Sequence, residues 1–541
     1  MTGYYIGVDV GTGSARAGVF DATGEMRASA KRDITLHLEA GDIAEQSGEE
    51  IWAAVAACVR EAVKLCDVAP GEIRGIGFDA TCSLVVVDAE GGPLPVGSSG
   101  DAGRNIIVWM DHRAMAEARR INATHHKVLD YVGGIISPEM ETPKLLWLKH
   151  NLPQSFSRAA HFFDLTDYLT WRASGSLARS ICTLTCKWTY LGHERRWDED
   201  YFRTVGLGQL ADEGFARIGT EVVEAGTAVG HGLTAAAAEA FGLPVGTVVA
   251  AGLIDAHAGG VGTVGAAGDI GTVTSRLGYV LGTSACTMAS SVAAAFVPGV
   301  WGPYHSAMVP GLWLNEGGQS AAGAAIDQLV HFHPASGEAA AAAAAAGLSL
   351  VDWLAGKAMG QGGDLSAAVR LADGLHVVLE FLGNRSPLAD PEARGLIAGL
   401  GMDRSVDNLV GLYVAGVCGL GYGLRQILAA QAAAGVAIDT IVISGGAGQS
   451  PLVRQLLADC TGVVVAASRS PEPVLLGAAM LGAVAAGGYP DLAAAMPAMS
   501  ALGDAYRPAV AERARHDRRY AAFLALQEAG RAIRKLTEAG T

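Results

Sequence analysis

The feature that most constrains the fold is a strand, a turn of small polar residues and a second strand, a pattern that occurs twice along the chain. In the first half, the apolar or alternating segments 4–10 and 15–20 flank Gly11-Thr-Gly-Ser14. In the second half, the strand-like segment 275–281 leads into Gly282-Thr-Ser-Ala285. The first of these has the composition of a β-hairpin, and the second repeats its turn. The recurrence predicts a duplicated, two-lobed clamp with one turn in each lobe.

The first turn has the composition of a phosphate site. It combines an acid, Asp9, and a cation, Arg16, with two hydroxyls and small residues whose backbone amides are accessible. Amides and a guanidinium suit phosphate oxygens, and a carboxylate suits hydrated Mg²⁺. An ordinary tight hairpin without a ligand would have the same pattern, so both interpretations remain at this point.

A third glycine-rich turn lies near the C-terminus. The predicted strand 438–443 ends in Ser444-Gly-Gly-Ala-Gly-Gln-Ser450, and a helix follows from Pro451. A strand, a glycine turn and a helix with proline at its start form a nucleotide cradle. No GxxxxGK[ST] motif occurs, which excludes a P-loop enzyme. The GxGxxG at 260–265 has no acidic residue about twenty positions further on, and we interpret it as close packing of a helix on a sheet.

An acidic residue follows the apolar run 248–254, which predicts a buried strand. This residue, Asp255, enters a glycine-rich turn. Burying a lone carboxylate is costly unless a partner or a function compensates. Asp255 either caps the next helix or acts as a general base, and the stretch alone does not distinguish the two.

Other strands also end in polar turns. The predicted strands 73–78 and 106–110 lead to Asp79 and Asp111, and each of these acids would also suit a helix cap. Strands that repeatedly end this way favour an α/β sheet with a ligand at the strand ends.

Two further charged residues have a structural and a functional interpretation. Lys187 is the one basic group of the polar, apolar and aromatic segment 180–191, and it is either a surface lysine with a packed stem or a ligand for a substrate. Glu316 follows the apolar part of 309–319 and precedes a predicted helix. It either complements that helix dipole or lines a polar pocket.

Length and charge narrow the class of protein. A chain of 541 residues is too long for one core, so at least two domains are expected. The net charge of −15 disfavours nucleic acid and anionic membranes as partners. No signal peptide is visible, and the apolar stretch 475–488 is short and interrupted by glycine, so we expect a cytoplasmic protein without a membrane partner.

The eight cysteines are scattered along the chain without a CxxC or a zinc-type Cys/His spacing. Cys182 and Cys186 are four residues apart and have no His or Cys neighbour in sequence. All eight are expected to be reduced thiols, as is usual in the cytosol.

Together, Asp9-Val-Gly-Thr-Gly-Ser14 with Arg16, Gly282-Thr-Ser284, Ser444-Gly-Gly446 and Asp255 resemble the FGGY carbohydrate kinases over residues 3–490. The resemblance implies an α/β, two-lobed fold of the actin/hexokinase/Hsp70 ATPase type, a ribonuclease H-like duplication. Longer strings resemble the ribulokinase-type pentulose kinases, closest to the D-ribulokinase branch: Gly77–Ser83, Trp109–Arg113, Gly133-Gly134 with Pro143–Leu148, Phe163–Asp167, Cys186–Trp188 and Gly383–Leu388.

The resemblance implies a role for each matching residue. Asp9 would hold hydrated Mg²⁺, and Asp255 would be the general base. The remaining roles fall into two groups. The ATP phosphates and adenosine would contact Gly11, Thr12, Gly13, Arg16, Gly282, Thr283, Gly445, Gly446 and Gln449. The sugar would contact Cys82, Lys187, Asp255 and Glu316, with Cys82 standing where a related L-ribulokinase pattern has a small residue.

The resemblance also implies an activity and an organisation. The expected reaction is ATP-dependent phosphorylation of O5 of a ketopentose, with D-ribulose as first choice and L-ribulose or ribitol as rivals. An actin-like ATPase and a non-catalytic sugar sensor are rivals of other classes. The expected units are an N-terminal kinase domain, 1–268, a C-terminal ATP-binding domain, 269–490, and a helical extension, 491–541. The expected partners are a small sugar and, at the level of the family, a second copy in a homodimer.

Overall fold

The computed structural model describes residues 3–538 and shows a mixed α/β protein with two lobes. The large sheet of the first lobe has the strand order Val248–Val249, Ile73–Ala80, Tyr4–Val10, Ser14–Asp21 and Met26–Asp33, with Leu253–Ile254 also paired to Ile73–Ala80. The large sheet of the second lobe has the order Trp301–His305, Trp313–Gln319, Ala285–Ser291, Arg276–Leu281, Thr440–Ser444, Val464–Ser468 and Leu502–Tyr506.

Smaller sheets extend this framework. A five-stranded sheet among the described residues has the order His37–Glu39, Ile43–Gln46, Ile106–Ile107, Leu84–Val87 and His161–Asp164. Two-stranded sheets join Arg179–Ser180 to Val222–Val223 and His376–Val378 to Leu396–Ala398.

Helices cover both large sheets. In the first half they are Gly48–Cys66, Met115–Asn122, Glu141–Asn151, Pro153–Arg158, Leu165–Ser174, Ile181–Lys187, Glu199–Val205, Gly208–Asp212, Ala235–Phe241 and Asp255–Val264. In the second half they are Gly323–His331, Ser336–Ala345, Leu350–Gly362, Val406–Ala433, Pro451–Thr461, Pro473–Ala485, Leu492–Met499 and Arg513–Glu538.

The predicted duplication is confirmed by the strand pairing. Tyr4–Val10 pairs antiparallel with Ser14–Asp21 and parallel with Ile73–Ala80. In the second lobe, Arg276–Leu281 likewise pairs antiparallel with Ala285–Ser291 and parallel with Thr440–Ser444. Each glycine turn therefore lies at one end of the hairpin in its own lobe.

The apolar run 248–254 is not the single strand that we predicted. It forms two short strands, Val248–Val249 and Leu253–Ile254, both parallel to Ile73–Ala80. Between them, Gly252 passes so close to the neighbouring strand that a Cβ would overlap the carbonyl oxygen of Phe78. The break allows the chain to bend towards the helix that begins at Asp255.

The GxGxxG segment packs more tightly than predicted, and chiefly against another helix. Gly260 lies near the sheet at Gly278, as expected, but Gly262 meets the backbone of the helix Pro473–Ala485. A Cβ at Gly262 would overlap the carbonyl oxygen of Pro473, and one at Gly477 would overlap that of Ala258. Two helices can approach this closely only where side chains are absent.

One helix within residues 3–538, Val406–Ala433, is long and apolar enough to cross a membrane, and the pair Ser336–Ala345 and Leu350–Gly362 would qualify only as a span bent by 92°. This helix lies outside the stretch 475–488 that we considered from the sequence. Its most apolar window is 78% buried inside the protein, as in the core helix of a globular domain.

The glycine contact between helices provides a stability test. Gly477→Ala should lower the free energy of unfolding by about 1–3 kcal/mol, because the new methyl group overlaps rigid backbone at Ala258. Gly356→Ala is the matched control, since a Cβ at this helical glycine would meet no neighbouring atom within 4 Å among the described residues. The control should be neutral or stabilising by about 0.5–1 kcal/mol. Equal thermal unfolding midpoints for the two variants would contradict the packing argument.

Candidate active site

A cavity of about 300 Å³ lies where the strands of the first lobe face the second lobe. It collects residues that are far apart in sequence from both halves of the chain. The predicted site residues that line it are Asp9, Gly11, Thr12, Arg16, Cys82, Lys187, Asp255 and Glu316.

The first glycine turn is held in shape by local hydrogen bonds. The Gly11 amide donates to the Ser14 carbonyl at 3.0 Å. The Thr12 hydroxyl accepts a bond from the Trp109 indole at 2.9 Å, and the Thr12 carbonyl accepts one from Gln46 at 2.8 Å. The next residue along, Gly13, does not line the cavity.

Arg16 links the first turn to the second half of the chain. Its guanidinium forms ion pairs with Asp9 and with Glu472, the latter at 2.8 Å. Burial lowers the pKa of Arg16, but the carboxylates of Asp9 and Glu472 outweigh that effect and raise it.

The second glycine turn is closed by a backbone hydrogen bond, as the first one is. The Gly282 amide donates to the Ser284 carbonyl at 3.0 Å. The Gly282 carbonyl accepts from the Gly323 amide at 2.9 Å, which ties the turn to the next helix. Ser284 lines the cavity, whereas Gly282 and Thr283 do not.

A second cavity of about 300 Å³ lies on the other side of this hairpin, in the second lobe. Gly446 and Ala447 line it together with Leu281, Gly323 and Tyr413. Gly445 and Gln449, which were also predicted to contact adenosine, do not line this cavity. Gly445 packs its backbone against Leu281 with φ of 90°, and the Gln449 side chain accepts a hydrogen bond from Arg454 at 3.1 Å.

Three carboxyl groups meet at the strand ends of the first lobe. Asp9 and Asp79 are register partners on parallel strands, and Leu253, just before Asp255, is paired with Asp79. Within residues 3–538, neither carboxyl oxygen of Asp79 has a hydrogen-bond partner, although both are buried. Burial and the nearby charges of Asp9 and Asp255 raise the pKa of Asp79 well above its usual value.

Asp255 is the first residue of the helix Asp255–Val264 and is not its cap, which is Ile254. One carboxyl oxygen accepts the Ala256 amide at 2.7 Å. Burial, with a further contribution from Asp9, raises the pKa of Asp255 to about 6. The group is therefore mostly ionised near neutral pH and close enough to titration to exchange a proton.

Lys187 is buried and is not a surface lysine. Its ammonium lies 3.8 Å from the Glu316 carboxylate and 4.8 Å from the centre of the Trp301 ring. Burial alone would lower the pKa of Lys187, but Cys82 and Glu316 raise it well above its usual value. The side chain is a cation at the cavity wall.

Glu316 lies in the strand Trp313–Gln319, away from the next helix, which begins at Gly323. It is therefore not a helix-dipole residue. Burial would raise the pKa of Glu316, but Lys187 and His257 lower it to about 2. Close by, burial raises the pKa of the Cys82 thiol, which stays neutral.

Several cavity residues were missed as site candidates. Trp109 and Arg385 lie within strings that carried the family resemblance, so a signal was present. Asp79, which does not line the cavity, also lies in such a string, but its position beside Asp9 depends on the strand register. Glu139 and Trp301 line the cavity without any motif that singled them out.

The fold brings together cysteine and histidine side chains that no sequence spacing connects. Within residues 3–538, Cys182 and Cys186 lie within 4.8 Å of His257, and a second group joins Cys418 and Cys460 to His516. A third group consists of His126, Asp198 and Asp200. All eight cysteines are free thiols, as predicted.

Comparisons with known proteins agree with this geometry. Residues 4–262 match the FGGY family of carbohydrate kinases, N-terminal domain, and residues 277–486 match its C-terminal domain. A human FGGY carbohydrate kinase domain-containing protein is 45% identical over 97% of this chain and 96% of its own length. A D-ribulokinase of Saccharomyces cerevisiae is 39% identical over 89% of this chain and 72% of its own length. The crystal structure of a xylulose kinase from Rhodospirillum rubrum superposes with a TM-score of 0.80 at 23% identity, covering 98% of this chain and 99% of that one.

Fold and site define a two-lobed carbohydrate kinase with the actin/hexokinase-like ATPase fold. Such an enzyme is a phosphotransferase with an alcohol group as acceptor and ATP as donor. The chain belongs to the FGGY family of carbohydrate kinases.

The burial of Asp79 predicts a pH-dependent change in stability. A raised pKa in the folded state means that the acid contributes stability at low pH and that this contribution is lost as the pH rises through that pKa. Asn imitates the protonated acid, so Asp79→Asn should stabilise the protein by about 1–3 kcal/mol at about pH 8 and leave it unchanged at about pH 4. Asp33→Asn, at an exposed acid, is the control. The measurement is denaturant unfolding at both pH values without added metal. Equal destabilisation by Asp79→Asn at both pH values would contradict the argument.

Proposed function

We propose that the protein transfers the γ-phosphoryl group of ATP to O5 of a ketopentose, with D-ribulose as the substrate and D-ribulose 5-phosphate as the product. The name of the yeast relative, a D-ribulokinase at 39% identity, supports the choice of sugar. The xylulose kinase superposes with a TM-score of 0.80, which supports the fold. Its identity of 23% is too low to bear on the substrate.

The observation that carries the proposal is the composition of the cavity. It places Asp255 in one space with Asp9 and Arg16 on one side and with Lys187 and Glu316 on the other. Phosphoryl transfer needs positioning, charge neutralisation and a group that orients the attacking hydroxyl. Asp255, with a pKa of about 6, accepts the proton of the sugar hydroxyl as it attacks.

The sugar is held by charged groups that remain ionised. Lys187 donates hydrogen bonds to sugar oxygens, and Glu316 accepts them from sugar hydroxyls. The neutral thiol of Cys82 contacts the sugar between them. This polar set suits a small polyol and argues against an actin-like ATPase without a sugar substrate.

ATP is bound by both glycine turns. Gly11, Thr12, Gly13 and the guanidinium of Arg16 contact its phosphates from the first lobe, with the amides of Thr12 and Gly13 as donors because the Gly11 amide bonds Ser14. Gly282 and Thr283 do so from the second lobe, and the adenosine lies against Gly445, Gly446 and Gln449. The cavity beside Gly446 supports this placement, since it has room for a ring system and an apolar wall at Leu281 and Tyr413.

The acidic strand ends fit a divalent cation. The two unpartnered oxygens of Asp79 beside Asp9 are a donor set that Mg²⁺ prefers. We propose that Asp9 holds Mg²⁺ through its water shell, with Asp79 next to it. When bound, the ion neutralises charge on the phosphates of ATP.

We propose units at 1–268, 269–490 and 491–541. The family matches, 4–262 and 277–486, support the first two units, and the strand Leu502–Tyr506 joins the third to the second-lobe sheet. The cell compartment is the cytoplasm, and the assembly is a homodimer. Neither nucleic acid nor a membrane is a partner, in keeping with the net charge of −15.

A substrate panel tests the proposed reaction. Release of ADP is measured with purified protein, Mg-ATP and, in turn, D-ribulose, L-ribulose, D-xylulose, L-xylulose, ribitol, glycerol or no sugar. D-Ribulose should give the highest kcat/KM over a low rate without sugar. A preference for L-ribulose or ribitol would change the substrate but not the class. A rate that does not depend on sugar would overturn the proposal in favour of an ATPase.

The role of Asp255 as proton acceptor gives a second prediction. Asp255→Asn should reduce kcat by about two to four orders of magnitude, because an amide cannot take the proton, while the affinity for ATP stays within about threefold. In the wild type, burial raises the pKa of Asp255, so kcat/KM should fall as the pH decreases through about 6. Near-normal turnover of the variant would remove Asp255 from the mechanism.

A further inference from the structure

A buried histidine behind the sugar side of the cavity has no place in the proposed mechanism so far. His257 is the third residue of the helix Asp255–Val264 and is fully buried. Both of its ring nitrogens have partners: Nδ1 lies 3.1 Å from Cys182 Sγ, and Nε2 lies 3.4 Å from Glu316 Oε2. The same Glu316 oxygen lies 3.8 Å from Lys187 Nζ.

This chain of contacts crosses between the lobes. Cys182 and Lys187 belong to the helix Ile181–Lys187 of the first lobe, and His257 belongs to the first lobe as well. Glu316 comes from a strand of the second lobe. A buried carboxylate is costly unless it is paired. The two cations nearest to Glu316, Lys187 and His257, come from the opposite lobe, while Arg385 of its own lobe adds a weaker attraction.

We propose that His257, oriented by Cys182, is a positioning residue that fixes the Glu316 carboxylate for recognition of the sugar, an inference that rests on the proposed function. With Oε2 held by His257 and Lys187, rotation of the carboxylate is restricted, and its other oxygen is left for a sugar hydroxyl. His257 thus acts on the substrate only through Glu316 and does not touch it.

The arrangement is best described as an imidazolium between two anions. Burial lowers the pKa of His257, but Cys182 and Glu316 outweigh it and raise the value to about 10. Burial raises the pKa of Cys182, but hydrogen bonds from Cys186 and His257 lower it to about 5. The Ile254 amide also points at the Cys182 sulfur, at 3.5 Å.

The charges around this group are balanced. Five titratable groups face His257. Cys182, Cys186 and Lys187 lie on the helix Ile181–Lys187, Glu316 lies on the strand opposite, and Asp255 lies on the same helix as His257. Two cations, Lys187 and His257, thereby face the anions of Cys182 and Glu316. Removing one member leaves its neighbour buried without compensation.

Kinetics on two variants test the proposal, and the control is Cys66→Ala, which removes a half-buried thiol that belongs to none of the Cys/His groups described above. His257→Gln and Cys182→Ala should each raise the sugar KM by about tenfold or more and change kcat by less than about threefold, since a hydrogen bond to a charged group is lost or weakened. The KM for ATP should not change. The control should leave both KM values unaltered.

The pH dependence separates positioning from general damage to the fold. Without Cys182, the largest contribution that raises the pKa of His257 is lost and this pKa falls, so the charge on His257 is lost at a lower pH than in the wild type. In Cys182→Ala the sugar KM should therefore increase from about pH 6 to about pH 9, whereas the wild-type KM stays flat over this range. A pH-independent KM in this variant, or an unchanged KM in both variants, would overturn the proposal.

A readout without sugar keeps this test apart from the proposed function. The ultraviolet absorbance of one thiolate should be present in the wild type and the control and absent from Cys182→Ala and His257→Gln. If the two variants lose that absorbance but the wild type turns over no sugar, the ion pair between Cys182 and His257 is supported and the proposed function is overturned. A stoichiometric metal ion bound through the thiols, detected by elemental analysis of the purified protein, would overturn the imidazolium arrangement.

Discussion

The close seating of the helix Pro473–Ala485 is the constraint on which the rest of the structure depends. Its backbone touches the first-lobe sheet at Gly7, Gly75 and Gly77, where a Cβ would overlap helix carbonyl oxygens. On another side, it touches the Asp255 helix through glycines of both helices. A segment from the second half of the chain is thereby fixed to the sheet of the first half. The residue before it, Glu472, reaches Arg16 in the first glycine turn for the same reason.

This packing brings buried charge together at the strand ends, and the two sides of the cavity handle that charge differently. Next to the first turn, acids accumulate, and for one of them, Asp79, the attraction of Arg16 does not offset burial and the charges of Asp9 and Asp255. On the sugar side, Lys187 and Glu316 compensate each other across the lobes. The first arrangement favours a proton or a cation, and the second favours a ligand rich in hydroxyl groups. Asp255 lies between them with a pKa near 6, where either state is accessible.

The sequence was informative where the evidence is local. The hairpins and their glycine turns follow from short patterns, and the structure confirms them. Asp79 could not be assigned because its isolation depends on strand register with Asp9. His257 could not be paired with Cys182, since 75 residues separate them and no spacing rule joins them. Gly445, Gly446 and Gln449 were assigned from one glycine-rich motif, but only Gly446 of these three lines the second-lobe cavity, next to Ala447.

The distribution of the proposed sugar contacts over both lobes has a consequence for the order of events. Lys187 and Glu316 are 3.8 Å apart only while the lobes are in their present relation, because each lobe supplies one of them. Opening the cleft would therefore separate the sugar contacts and expose both charges to water at the same time. The phosphate turns are divided between the lobes in the same way. Under the proposed function, a hydroxyl acceptor and Asp255 would thus meet the two glycine turns only in the closed arrangement, which would keep water away from the transferable phosphoryl group.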